Sequence, residues 1–73
     1  MKHLYFLKPD AYYYVRSWQA YSRVGDLDPK GIYTHAYSVA QALRQIAIRI
    51  AHDLHTTQYD IDLYSKDIQI IEE

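Results

Sequence analysis

The chain has no cysteine, and its 73 residues include two glycines, two prolines, one phenylalanine and one tryptophan. Without cysteine there is no disulfide framework, no thiolate zinc site and no cysteine nucleophile. Scarce glycine excludes a Gly-rich phosphate loop. Both glycines and both prolines fall in two short breaks, which leaves the stretches between them free to be regular. Apolar runs are only a few residues long, so nothing in the sequence spans a membrane, and the N-terminus carries no signal-peptide apolar core. A soluble, cytoplasmic chain is the expectation. An excess of one charge is missing too. Eight Lys and Arg face nine Asp and Glu, a formal net charge of −1, whereas nucleic-acid-binding domains usually read as strongly basic.

What is present is tyrosine: nine of them, in a chain that is 49% apolar. Residues 1–73 read as one small domain, short of the ~100–200 residues usual per domain. A chain of ~60 residues buries only about 60% of its unfolded surface, so a second copy or a partner is expected to add stability. Tyrosine combines a large apolar body with a polar tip and suits half-buried strands and contact patches. Nine cannot all lie deep in so small a molecule. Several are expected at the surface, where binding energy concentrates.

The strongest element is a helix over residues 38–54. Ser38 and Gln41 have the spacing of a capping box. Val39, Leu43, Ile46, Ala47, Ile50 and Leu54 form one apolar stripe, expected to bury Leu43, Ile46 and Ile50. Residues 3–7, 12–23 and 32–37 read as strands, the first two joined by a turn at Pro9-Asp10. A helix over 10–24 competes for the second, but three consecutive tyrosines favour strand. Residues 59–64 alternate apolar with acidic, and Ile68, Ile70 and Ile71 follow with shifted parity, so Ser65-Lys66-Asp67 must hold a turn or bulge. The expected fold is α+β in the order β-β-β-α-β, with one helix across a small antiparallel sheet.

Motifs for chemistry are weak. His52 and His55 are i, i+3 on the helix, but no third ligand accompanies them, so two solvated imidazoles near a helix C-terminus are expected rather than a metal site. Residues 26–31 imitate the start of a calcium loop until Lys30 and Tyr37 occupy ligand places. Asp60 and Asp62 share a strand face at ordinary spacing, without a pocket to split their pKa values. No nucleophile-elbow motif occurs. Neither enzyme activity, a cofactor nor a metal is expected.

Surface features point instead to contact with other molecules. Ile48 lies opposite the apolar stripe, flanked by Arg44 and His52, as a small anchor within a polar rim would. Whichever of Tyr12, Tyr13 and Tyr14 the core does not take would join it. The functional expectation is a small non-enzymatic protein-binding module, of the adaptor or inhibitor type that phages and mobile elements encode, able to form a homodimer. The alternative is single-stranded nucleic acid on an open sheet face, with Tyr12, Tyr14, Arg16 and Trp18 alternating onto one side. A core place for Trp18 under the helix competes with that. Charge is also uneven: Lys2, Lys8, Arg16 and Arg23 against Asp10 make residues 1–25 net +3. Asp60, Asp62, Asp67, Glu72 and Glu73 against Lys66 make residues 56–73 net −4, a bipolar surface able to steer association.

Overall fold

Alternation of apolar side chains sets the strands. The computed structural model describes residues 1–71. Its elements run β1 (His3–Leu7), β2 (Tyr12–Val15), β3 (Ala20–Arg23), α1 (Val24–Leu27), β4 (Ile32–Ala36), α2 (Val39–Asp53), β5 (Ile61–Asp62) and β6 (Ile68–Ile70). In β1, Tyr5 and Leu7 point inward; in β2, Tyr13 and Val15 do; in β4, Ile32 and Ala36 do. The fold is α+β, and its strand order follows the expected one.

The strands form two sheets rather than one. The first has the order β4-β1-β6 and the second β3-β2-β5, all neighbours antiparallel. The short 3-10 turn Ser65–Asp67 explains the split. It stands where the parity shift demanded a break, and the strands on either side of it join different sheets. The stretch expected as one strand over residues 12–23 is a hairpin, its tip at Arg16-Ser17-Trp18-Gln19. The loop expected over residues 25–31 begins inside the single helical turn α1. Gly31 closes that loop at φ 83°, where a Cβ would lie 2.6 Å from both the Leu7 carbonyl oxygen and the Phe6 ring. Only glycine passes there unstrained.

Helix α2 starts as its sequence requires. The Ser38 hydroxyl accepts from the Gln41 amide at 3.1 Å, and the Gln41 side chain reaches back to the Tyr37 amide at 2.7 Å, one residue earlier than a capping box would place it. The buried face is centred on Ala42, Ile46 and Ile50, with Ala47 and Ala51 beside them. Val39 is exposed and Leu43 only half-buried, so the inward direction is rotated from the expected stripe. Ile46, Ala47, Ile50 and Ala51 join Leu7, Tyr13, Val15, Val24 and Ile61 in the main core, and Tyr5, Ala36 and Ala42 make a smaller one. One helix thereby serves both sheets. Among the described residues no helix is long and apolar enough to cross a membrane.

The C-terminus of α2 is a Schellman turn. Thr56 donates to the Ala51 carbonyl at 2.9 Å and His55 to the His52 carbonyl at 3.2 Å. His55 stands at φ 58°, the place glycine normally takes, so the helical geometry that would pair it with His52 ends before it. His55→Gly is therefore expected to raise stability by up to ~1 kcal/mol, read from the urea midpoint. A lower midpoint would show that the imidazole makes contacts worth more than the strain.

Candidate functional site

With Tyr13 and Val15 pointing into the core, Tyr12 and Tyr14 must face out of the second sheet. Tyr13 is 1% exposed, so of the three consecutive tyrosines it is the one removed from any contact surface. On β3, Tyr21 lies opposite Tyr14 and Arg23 opposite Tyr12. The Tyr14 and Tyr21 rings meet edge to face, centroids 5.0 Å apart. Tyr64, two residues beyond β5, adds a fourth ring, its hydroxyl 3.4 Å from that of Tyr21. That hydrogen bond, with partial burial and the neighbouring charges, pushes the Tyr64 phenol up to about 12. The Tyr64 phenol therefore stays a neutral donor and acceptor at ordinary pH.

Beside these rings the surface opens into a cleft of about 440 Å³, lined by Tyr12, Tyr21 and Tyr64 with Lys8, Asp10, Ala11, Lys66 and Asp67. Two cations and two carboxylates balance there. Lys66 lies 3.5 Å from Asp67, with its ammonium over the Tyr64 ring at 5.9 Å. The cleft is amphipathic and electrically mixed, which suits aromatic, apolar and hydrogen-bonding contacts together.

The hairpin tip is held from a distance. Asp60 accepts from the Ser17 amide at 2.8 Å, from the Ser17 hydroxyl at 2.6 Å and from the Thr56 hydroxyl at 3.0 Å. Its own carbonyl accepts from the Arg16 amide at 2.8 Å. Arg16 forms a two-pronged pair with Asp62, at 2.8 and 3.0 Å. The charge asymmetry between the two chain ends is thus partly internal, because a basic N-terminal group meets an acidic C-terminal one. The Ser17 hydroxyl, and after it the Ser17 amide, Thr56 and Arg16, hold the Asp60 carboxyl below its ordinary pKa against the effect of burial. A carboxyl with a lowered folded pKa adds stability in full above its unfolded value, near 3.8, and loses it as pH falls through the folded value. Asp60→Asn is expected to lower the Tm at pH 7 and to flatten the fall of Tm below pH 4. Parallel acid limbs in the two proteins would sink this role.

Trp18 sits at that tip, 54% exposed. It neither extends the face of Tyr12 and Tyr14 nor enters the core, since the turn takes it off the strand. Arg16 continues the outward alternation, but its guanidinium is taken up there by Asp62, which lies opposite Tyr14. On α2, Ile48 is 47% exposed, with Arg44 and His52 exposed beside it. This helix face and the tyrosine face point away from each other, because Ile46 and Tyr13 fill the same core between them. They form two surfaces. In the loop between α1 and β4 the Asp28 carboxylate accepts from Arg49 at 3.2 Å and from the Lys30 amide at 3.3 Å, the arrangement of a closed turn. Among the described residues no three His, Asp or Glu side chains gather as a metal site.

Sequence reasoning missed Tyr21, Tyr64, Lys8 and Lys66. Parity held a signal for Tyr64, which continues the outward series Asp60, Asp62. Nothing local announced the hairpin that brings Tyr21 beside Tyr14. No family model, curated protein or solved structure matches the chain.

Proposed function

We propose that the chain is a small non-enzymatic protein-binding module, of adaptor or inhibitor type, whose principal contact surface is the outer face of the second sheet. The gathering of Tyr12, Tyr14, Tyr21 and Tyr64 on one open face carries this reading. Tyrosine offers large contact area with little side-chain freedom to lose, and it is enriched among residues that dominate binding energy. The hydroxyls supply hydrogen bonds, and Lys8, Asp10, Lys66 and Asp67 supply a mixed polar rim. Ile48, with Arg44 and His52, offers a second and smaller contact on the helix.

Single-stranded nucleic acid is the alternative, and Tyr12 and Tyr14 do face outward as base stacking requires. Phosphate binding needs free cations along the track. Arg16 is neutralised by Asp62 and the two lysines of the cleft share it with two carboxylates, so Arg23 beside Tyr12 is a single cation and not a track of them. Charge therefore favours a protein.

The test compares proteins captured from an extract of the producing cells by wild type and by Tyr12→Ala and Tyr64→Ala, with a labelled single-stranded RNA titrated in parallel. Each tyrosine is expected to cost more than ~1 kcal/mol of affinity for the captured partner, in a fold unchanged by circular dichroism. Partners held equally by both variants would discard the tyrosine face. RNA bound at low salt and released at high salt would establish the alternative.

A further inference from the structure

We propose that a second copy of this chain pairs with the free edge of β3, joining two second sheets into one continuous six-stranded sheet about a two-fold axis at Ser22. The inference rests on the reading of this sheet as a protein-contact surface and names the partner.

The direction of the backbone groups comes first. Val24 donates to the Ala11 carbonyl at 2.9 Å, which sets the phase of the β2–β3 ladder. In an antiparallel pair, bonded and non-bonded positions alternate. The pairs Tyr13–Ser22 and Val15–Ala20 therefore exchange hydrogen bonds, while Tyr21 and Arg23 turn their N–H groups away from β2. The Tyr21 carbonyl points the same way. A row of unpaired backbone groups at a sheet edge is a template for another strand.

The guards of this edge are few: the strand is short and carries one charge, Arg23. Its sequence, Ala20-Tyr21-Ser22-Arg23, holds no proline and no lysine, and three of its four residues are exposed. At the β4 edge, by contrast, Gln45 donates to the His35 carbonyl at 2.8 Å. Helix α1, which follows β3, does not cover the edge. Its Gly25 amide is bound to the Pro9 carbonyl at 2.9 Å, which holds the turn on the β2 side.

Charge selects the register. With the axis at Ser22, Tyr21 faces the second copy's Arg23, and the reverse, so each guanidinium lies against a tyrosine ring. Each cross-strand row then runs Asp62, Tyr14, Tyr21, the second copy's Arg23, the second copy's Tyr12. An axis at Arg23 would set two cations directly opposite, which is destabilising. An axis at Tyr21 would put Arg23 against Gln19, whose φ of 53° breaks the strand. The favoured register leaves the tyrosine faces of both copies open and contiguous.

The test is sedimentation equilibrium from micromolar to millimolar protein. Wild type is expected to associate to a dimer. Arg23→Pro removes an N–H that bonds nothing among the described residues, at a residue whose φ of −90° lies near proline's own. It is expected to weaken the dimer at least ~tenfold, about 1.4 kcal/mol, without changing the circular dichroism. Tyr21→Lys sets a cation against Arg23 and should weaken association as well. Tyr21→Lys with Arg23→Glu restores an opposite-charge pair and should recover it, whether or not the proline variant folds. A wild type that stays monomeric, or a dimer indifferent to Tyr21→Lys, overturns the pairing. Failure of the double variant to recover overturns the register. A monomer that still loses its captured partners on Tyr12→Ala would discard the β3 pairing alone, whereas partners unaffected by Tyr12→Ala would discard the tyrosine face itself.

Discussion

Tyr13→Ala is expected to lower stability by about 3–5 kcal/mol, the range for deleting a buried aromatic ring. Tyr13 is the largest wholly buried side chain, packed in the main core with Leu7, Val15, Ile46 and Ile50. A domain of this length commands roughly 4–11 kcal/mol in total, at about 0.05–0.15 kcal/mol per residue, so one truncation consumes a large part of it. Tyr12→Ala, one residue earlier and 51% exposed, should shift the urea midpoint by no more than ~0.5 kcal/mol equivalent. Far-UV circular dichroism against urea reads both. Equal midpoints for the two variants would mean that β2 does not alternate as described. The contrast separates packing from contact: Tyr13 holds the molecule together, and Tyr12 is available to something else.

Ile50→Ala should cost about 2–5 kcal/mol, because Ile50 is wholly enclosed between the helix and the strands and its removal leaves a cavity. Ile48→Ala, on the opposite side of the same helix, should stay within ~0.5 kcal/mol of wild type. Leu43→Ala falls between them, since the buried face turns toward Ala42 and Ala51 and leaves Leu43 half-covered. Unfolding free energies ranked Leu43 above Ile50 would return the helix to the orientation that its sequence stripe suggests.

That rotation shows where sequence and structure part. Helix α2 was legible because Ser38 supplies a local cap and the apolar spacing extends over four turns. The direction of its buried face was less so. Alanines at 42 and 51 approach the sheets closely and disappear, while the larger Val39 remains outside. Strands β1 and β4 were legible from their β-prone residues, and the break at Ser65–Asp67 from a parity shift alone. The β2–β3 turn had no such mark. Arg16-Ser17-Trp18-Gln19 contains no glycine, proline, asparagine or aspartate, and it is folded over by Asp60, far along the chain. A turn whose determinant is remote cannot be read in a local window. For the same reason the tyrosine face was visible only in part: Tyr12 and Tyr14 announced themselves, whereas Tyr21 and Tyr64 arrive by tertiary folding.

The placement of β1 between β4 and β6 governs the order in which the molecule comes apart. Leu7 pairs with Ile68 and Tyr5 with Ile70, contacts that span nearly the whole chain and form late for that reason. Gln69 and Ile70 are exposed, so little buried surface holds β6 in place, and it belongs to the region that opens first. Once it lifts, His3-Leu4-Tyr5-Phe6-Leu7 becomes a largely apolar sheet margin with free backbone groups, the kind of segment that recruits identical segments from other molecules. Aggregation is therefore expected to follow the lifetime of this one short strand more closely than the free energy of complete unfolding.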